Sequence, residues 1–301
     1  MPVPNNQNRP RRVIVLFVAD THAGNKLGLM NPDVVLFQQD EYGELVEWRP
    51  PLGALQSRLW PWFEEDVRAV ADLAGGDEII YIHQGDVVQG SKHRVLQVGN
   101  REANQLLIAV ANQAPILSLP NVREARFIAG TAAHDGIGAS KVVEVVHVLR
   151  QQYPAVNFRA LYHGVLDIDG CRIDYAHHGP GPGNREWLKG NPLLWYLRDL
   201  VLAEWTARAR PHARVTTRAH QHTYRHVVHC AMLDGTEYQF DAFLLASECG
   251  MQDFARKVTR SAMMQTFGML ALEIVGGKLM NVHPMIHELD LRMEERMEES
   301  L

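Results

Sequence analysis

Seven consecutive apolar residues, Val13 to Ala19, run directly into Asp20-Thr21-His22. A continuous apolar run of this length is typical of a strand that is buried on both faces of a sheet. The run lacks the small-residue cleavage site of a signal peptide, and nowhere does the chain offer the roughly 18 apolar residues of a membrane helix. It therefore predicts a buried strand with polar residues at its carboxyl end.

The first half of the chain repeats this arrangement. Apolar residues at helical spacing indicate helices, and continuous apolar runs indicate further strands. The predicted elements are, in order, a helix over residues 54–73 that is interrupted or kinked near Pro61, a strand over 78–83 followed by Gly85-Asp86, a helix over 101–113, a strand over 125–129 and a helix over 141–152. This order favours a sheet that is covered by helices.

Hairpin signals dominate the second half. Asp169-Gly170, Asp234-Gly235 and Gly276-Gly277 are strong turn sequences, and the first lies within a hairpin predicted over 165–176. One long helix is predicted over 192–210. Together the two halves predict an α/β fold with two packed mixed β-sheets that are flanked by helices.

The pattern shows no internal linker, so we expect a single domain over residues 11–291. Residues 1–10, rich in Pro, Asn and Gln, are predicted to be a mobile tail, and the charged residues 292–301 a second tail. Residues 31–53 mix prolines with polar and aromatic side chains, which indicates an insertion or lid near the first motif.

Charge and cysteine content narrow the class of protein. The net charge of -5 and the sequence pI near 6.3 exclude the overall basic field of a general nucleic-acid binder, although a local basic groove stays open. The three cysteines are an odd number without metal-type spacing, which favours reduced thiols and a cytoplasmic setting.

Several of the 15 histidines fall at predicted strand ends. Asp20 and His22 lie two positions apart, which in extended geometry puts both side chains on one face, and His220 and His222 repeat that spacing. Asp86 ends the second predicted strand and offers two carboxylate oxygens, enough to bridge two cations. Carboxylates combined with imidazoles suit Mn, Fe, Zn or Ni better than Ca or Mg.

Two such ions, roughly 3.5 to 4 Å apart, can each hold a phosphoryl oxygen and generate a hydroxide between them for in-line attack. The candidate ligands therefore predict a dinuclear metal site that hydrolyses phosphate esters, with Mn²⁺ as the favoured ion.

The ordered motifs D-x-H, G-D, a loop from Gly130 to His134-Asp135, H-G and a final H-x-H resemble the calcineurin-like metallophosphoesterase superfamily over residues 13 to about 230. The end of the chain looks like the variants of phages and bacteria. The resemblance implies a four-layer sandwich fold and a catalytic His134 that meets the phosphate or the leaving oxygen beside Asp86. It also implies a first ion bound by Asp20, His22, Asp86 and His222, and a second ion bound by Asp86, His178 and His220.

One departure concerns the second ion. The family has G-N-H-[DE], whereas this chain has Gly130-Thr131-Ala132-Ala133-His134-Asp135. The place of the Asn ligand falls to Thr131, Asp135 or water, and the second ion is expected to bind more weakly. Between the adjacent His177 and His178, the ligand position before a small residue favours His178, with His177 in a packing or supporting role.

Another departure concerns the substrate. Protein phosphatases of the superfamily continue G-D with x-V-D-R-G, but this chain reads Gly85-Asp86-Val87-Val88-Gln89-Gly90. The next residues include His93 and Arg94, candidate substrate contacts that suit a phosphodiester or nucleotide, although such a charged run often only faces water. We therefore expect a nucleotide or nucleic-acid substrate.

Two other functions fit parts of the pattern. The altered Asn position is compatible with a non-catalytic metal-binding scaffold on the same fold. An amidohydrolase or a relative of the metallo-β-lactamases would place an H-x-H early, whereas here the H-x-H comes late.

Overall fold

The computed structural model describes residues 10–91, 96–99, 101–183, 188–207, 213–251 and 263–292. Within these ranges the chain has a mixed α/β fold with three β-sheets and four α-helices, which confirms the predicted class. The helices are α1 (Gln56–Ala74), α2 (Glu102–Leu117), α3 (Ser140–Gln152) and α4 (Asn191–Ala207). The strands are β1 (Arg12–Val18), β2 (Leu36–Gln39), β3 (Leu45–Trp48), β4 (Glu78–His83), β5 (Val122–Ile128), β6 (Asn157–Leu161), β7 (His163–Ile168), β8 (Cys171–Ala176), β9 (Val215–Arg218), β10 (Arg225–Leu233), β11 (Thr236–Leu244), β12 (Met264–Val275) and β13 (Lys278–Asp290).

The first sheet has six strands in the order β13-β12-β1-β4-β5-β6. Strands β1, β4, β5 and β6 are parallel neighbours, and β12 is antiparallel to β1. The helices α1, α2 and α3 fall between the parallel strands in the chain, as predicted from the βαβ order. Because β1 and β4 are parallel neighbours, the residues that follow them meet at one edge of the sheet.

The second sheet has five strands in the order β10-β11-β9-β8-β7. Strands β8 and β9 are parallel and α4 lies between them in sequence, so their carboxyl ends are also adjacent. The turn between β7 and β8 is Asp169-Gly170, with φ values of 51° and 98° that fit the left-handed turns of two-residue hairpins. The turns at Asp234 and Gly276 join the other two predicted hairpins.

Strand β1 is buried on both faces, and its side chains alternate between two apolar clusters. Ile14, Leu16 and Val18 pack with residues of α1, α2 and α3. Val13, Val15 and Phe17 pack with residues of the second sheet, such as those of β8 and β9. A third cluster joins α4 to β10 and β11. The two sheets therefore share an apolar interface that begins at β1.

Residues 31–53 contain the third sheet, the hairpin of β2 and β3. It is fastened to α2 because the Asn104 side chain bonds both backbone groups of Phe37, at 3.1 Å and 2.9 Å. Leu36, the first residue of β2, is fully buried. Helix α1 continues through Pro61, where a kink was predicted. Most of the two predicted tails, residues 1–9 and 293–301, lies outside the described residues.

Among the described residues, the helices are all too short or too polar to cross a bilayer. The three cysteines are free thiols, Cys171 and Cys249 buried and Cys230 exposed.

Candidate metal centre

The two sheets are joined at their carboxyl ends by Gln84, which directly follows β4. Its Nε2 donates to the carbonyl oxygens of Ala176 and Thr217, at 2.6 Å and 2.7 Å, and its Oε1 accepts from Thr217 Oγ1 at 2.9 Å. Ala176 ends β8, and Thr217 lies at the end of β9. This clamp brings the histidines that follow β8 and β9 next to Asp86, which lies two residues after Gln84.

The segments after β1 and β4 run side by side beyond the sheet. Asp20 N donates to Gly85 O and His22 N donates to Asp86 O, both at 3.0 Å. Thr21, between the first two ligand candidates, accepts a hydrogen bond from His83 Nε2 at 3.0 Å and donates to Val87 O. His83, the last residue of β4, therefore supports the D-x-H segment through its bond to Thr21.

The site residues have an unusual backbone conformation. Asp20 and His22 have φ values of 53° and 43°, so they converge through left-handed geometry and not through the extended geometry predicted from their spacing. The same conformation recurs at Asp86, His220 and His222. A left-handed residue other than glycine costs about 1–2 kcal/mol, and such strain persists only where surrounding contacts enforce it.

The first group of candidate ligands consists of Asp20, His22 and His222. His22 Nε2 lies 3.3 Å from His222 Nε2, 3.9 Å from Asp20 Oδ1 and 4.0 Å from Asp86 Oδ2. Burial lowers the pKa of His22 to about 3, with His134 adding to the effect. His22 is therefore a neutral imidazole, the form that binds a metal ion.

A second group consists of Asp20, Asp86, His177 and His220. Asp86 Oδ2 lies 3.3 Å from His177 Nε2 and 3.9 Å from His220 Nδ1. Since the same oxygen faces His22, the Asp86 carboxylate lies between the two groups, as expected for a bridging ligand.

His177 occupies the buried position beside Asp86, where the sequence favoured His178. Its Nδ1 donates to Gln84 O at 2.8 Å, which fixes the ring and directs Nε2 towards Asp86. His178 is exposed, although it also groups with His177 and His220. Alternation along β8 was the available signal, because Ile173, Tyr175 and His177 share the buried face.

The donor atoms fit a divalent cation. Burial raises the pKa of Asp20, but the neighbouring His222 and His177 lower it, to about 2. Burial likewise raises the pKa of Asp86, but His177 outweighs this effect, and the pKa falls well below the usual range. Asp86 in turn raises the pKa of His177 to about 10 despite burial, as expected where an imidazole faces a carboxylate.

Three buried atoms of the candidate ligands lack a hydrogen bond within the described part of the chain, namely Asp20 Oδ1, His22 Nδ1 and His177 Nε2. Buried polar atoms are normally paired, so unpaired ones that converge with other ligand atoms indicate a missing partner such as a cation. The buried His and Asp clusters thus have the composition and the placement to hold metal ions.

The loop from Gly130 to Asp135 orients Asp86. Thr131 donates from its backbone N and its Oγ1 to Asp86 Oδ1, at 2.6 Å and 3.0 Å, which turns Oδ2 towards the histidines. The Asp135 carboxylate accepts from the backbone N of Asp86, Val87 and Gly130, at 3.0 Å, 3.0 Å and 2.6 Å. Of the candidates for the Asn position, Asp135 is committed to these amides and Thr131 to Asp86.

We expect Thr131→Val to lower metal affinity about 10- to 100-fold, the usual effect of losing an outer partner of a ligand. The change keeps the shape of the side chain and the backbone bond to Asp86 but removes the hydroxyl bond. Competition with a chromophoric chelator measures the affinity. Thr131→Ser, which keeps the hydroxyl, is the matched control, and equal affinity of the Val and Ser variants would contradict the role.

Gly130 is required by the close approach of this loop to Asp86. A Cβ at this position would collide with the backbone N and Oδ1 of Asp86 and with Asp135 Oδ2. We expect Gly130→Ala to lower the free energy of unfolding by about 1–3 kcal/mol. Urea denaturation checks this against Gly76→Ala, where an added Cβ meets nothing within 4 Å. Equal stability of the two variants would argue against the close contact.

His134 lies against the first group of ligands. Its ring centroid is 4.4 Å from that of His22 in an edge-on arrangement, and it groups with His22 and Asp86. Its Nδ1 donates to Gln89 O at 2.6 Å, so Nε2 is the nitrogen that can give up or take a proton. The other predicted substrate contacts, His93 and Arg94, lie outside the described residues.

The structure thus brings together the predicted ligands Asp20, His22, Asp86, His178, His220 and His222 with His134, and adds His177 to them. No model of a known protein family matches the chain, and no curated protein matches it. Among solved structures, a protein of unknown function from Aquifex aeolicus matches with a TM-score of 0.31 and 14% identity, over 71% of this chain and 81% of its own.

Proposed function

We propose that the chain is a metal-dependent phosphoric ester hydrolase of the calcineurin-like metallophosphoesterase superfamily. The observation that carries the proposal is the placement of one carboxylate oxygen, Asp86 Oδ2, which lies 3.3 to 4.0 Å from His22, His177 and His220. A carboxylate between two groups of imidazole and carboxylate ligands is the arrangement that two-metal hydrolases use.

The packing of the chain supports the four-layer sandwich of that superfamily. One apolar cluster joins α1, α2 and α3 to the first sheet, a second joins the two sheets, and a third joins α4 to the second sheet. The candidate ligands follow β1, β4, β8 and β9, whose carboxyl ends meet at one edge of this packing.

In this proposal the first ion is bound by Asp20, His22, Asp86 and His222, and the second by Asp86, His177 and His220, with His178 at the rim. Mn²⁺ is favoured, with Fe, Zn and Ni as alternatives for the same ligands. When bound, two such ions polarise a phosphoryl oxygen and lower the pKa of a coordinated water. Thr131 fixes the orientation of the Asp86 carboxylate, because its backbone N and its Oγ1 both donate to Oδ1.

His134 is the proposed proton donor for the leaving oxygen. The bond from Nδ1 to Gln89 O orients the ring, and Nε2 is the nitrogen that exchanges the proton in this proposal. The expected substrate is a phosphodiester or phosphomonoester of a nucleotide or nucleic acid, since Gln89 stands near the place where protein phosphatases have their phosphate-binding Arg. Free thiols at all three cysteines agree with the cytoplasmic setting that we propose.

The test is the hydrolysis of p-nitrophenyl phosphate and bis-p-nitrophenyl phosphate by the purified protein with and without Mn²⁺, with Asp86→Asn as the control. We expect turnover that requires the ion and disappears in the variant. Absence of metal-dependent turnover on every phosphoester would refute the proposal. If elemental analysis then still found bound metal, the non-catalytic scaffold would be the better description, and the use of Thr131 where the family has Asn would account for it.

A further inference from the structure

A cavity of about 270 Å³ opens beside His134. Leu106 of α2 and Val88 of the loop after β4 contribute to its walls, together with Ala132 and Ile137 from the segment before α3. Because His134 also groups with His22 and Asp86, the cavity adjoins the candidate metal centre on the side of the proposed proton donor.

The size of the cavity limits what it can hold. Sites for drug-sized ligands usually measure roughly 300–1,000 Å³, so this cavity suits a compact organic group. A folded protein domain or a nucleic-acid duplex cannot enter it. The largest organic part of an ester that it accommodates is about the size of a nucleoside.

Charge at the rim disfavours a polyanion. Lys141 Nζ lies 3.7 Å from Glu102 Oε2 and 3.2 Å from Glu144 Oε2, so two carboxylates offset one ammonium. Within the described lining, this leaves no excess positive charge for a phosphate backbone or a second phosphate. Lys141 and Glu102 instead supply one donor and one acceptor, which suits a neutral ring with both kinds of polar edge.

Gln105 and Gly90, which both line the cavity, are held together by two hydrogen bonds. Gln105 Oε1 accepts from Gly90 N at 2.8 Å, and Gln105 Nε2 donates to Gly90 O at 3.1 Å. These bonds hold α2 against the loop after Asp86, so the distance between the cavity and the metal centre is set by the fold. A preformed cavity lowers the ordering cost of ligand binding.

We propose that this cavity binds the nucleoside part of a small phosphoester, with the ester oxygen at His134 and the phosphoryl group at Asp86. The inference rests on the proposed function and selects mononucleotide-type esters over polynucleotides. In the reaction, water forms the new P–O bond, the ester P–O bond breaks, and His134 gives its proton to the nucleoside oxygen. The proton released by the attacking water restores His134.

The test fills the cavity with Ala132→Trp, at a position that is exposed and lines the cavity. Val143→Trp, on α3 and 54% exposed but outside the lining, is the matched control. The first measurement is the binding of unmodified ribonucleosides at millimolar concentration to the metal-free protein, followed by NMR. We expect binding to the wild type and the control and none to Ala132→Trp.

This measurement needs no catalysis, so it is readable even if the protein hydrolyses nothing. The second measurement compares kcat/KM for nucleoside 5′-monophosphates with that for methyl phosphate, both with Mn²⁺. We expect Ala132→Trp to lower kcat/KM for the nucleoside esters about tenfold or more. The value for methyl phosphate should stay within a few-fold of the wild type. Absent nucleoside binding to the wild type, or equal losses for both esters, would overturn the inference. Faster hydrolysis of single-stranded DNA than of mononucleotides would overturn it as well.

Discussion

Replacing His177 by alanine is expected to remove the second metal ion and to reduce metal-dependent hydrolysis by more than the roughly 10- to 100-fold that loss of an outer-shell partner costs. His177 is 1% exposed, its Nε2 faces Asp86, and Gln84 O fixes its other nitrogen. His178→Ala is the matched comparison, and we expect it to stay within a few-fold of the wild type, because that side chain lies at the exposed rim.

Elemental analysis and rates at saturating Mn²⁺ measure the two effects. His177→Gln, which keeps a polar group near Gln84, guards against a loss that only reflects unfolding, and thermal unfolding of each variant identifies that case. A larger loss for His178→Ala than for His177→Ala would reverse the assignment. Equal and small losses would show that neither histidine holds an ion that matters to the reaction.

His134→Ala is expected to lower kcat about 10²- to 10⁴-fold, the range for a positioned general acid, while both metal ions stay bound. The dependence on the leaving group separates this role from a structural one. A p-nitrophenolate ion leaves readily without a proton, so the variant should lose less on nitrophenyl esters than on alkyl esters. Rates on a series of esters with increasing leaving-group pKa measure this, and a loss that is the same for every ester would contradict proton donation.

The strand ends explain why much of the site was predictable. Strand β4 has the predicted bounds, and the carboxyl ends of parallel neighbours must meet, so Asp20 and Asp86 follow from the order of strands alone. His220 and His222 were predicted from the two-residue spacing that they share with Asp20 and His22. The three hairpins followed from Asp-Gly and Gly-Gly turns, because few other residue pairs accept both left-handed positions.

Other features depend on contacts that a sequence does not display. The buried position of His177 follows from the alternation along β8, whereas the prediction of His178 rested on the size of the next residue. The role of Asp135 arises from three backbone amides that only the folded loop presents. Strand β6 has two polar or charged residues, Asn157 and Arg159, among its five positions and lies at the sheet edge, so its pattern gave no continuous apolar run.

Five candidate site residues have a left-handed backbone, namely Asp20, His22, Asp86, His220 and His222. This conformation lowers the stability of the chain, whereas the side chains at these positions serve the proposed metal centre. Glycine adopts this conformation without strain, so a His220→Gly or His222→Gly chain is expected to melt at a higher temperature than the wild type when a chelator is present. A lineage that no longer needed the metal centre would therefore gain stability by drifting to glycine at these positions. Under the proposed function, aspartate and histidine are kept at these positions for the ions that they bind, so a change to glycine would mark a descendant that no longer uses the site.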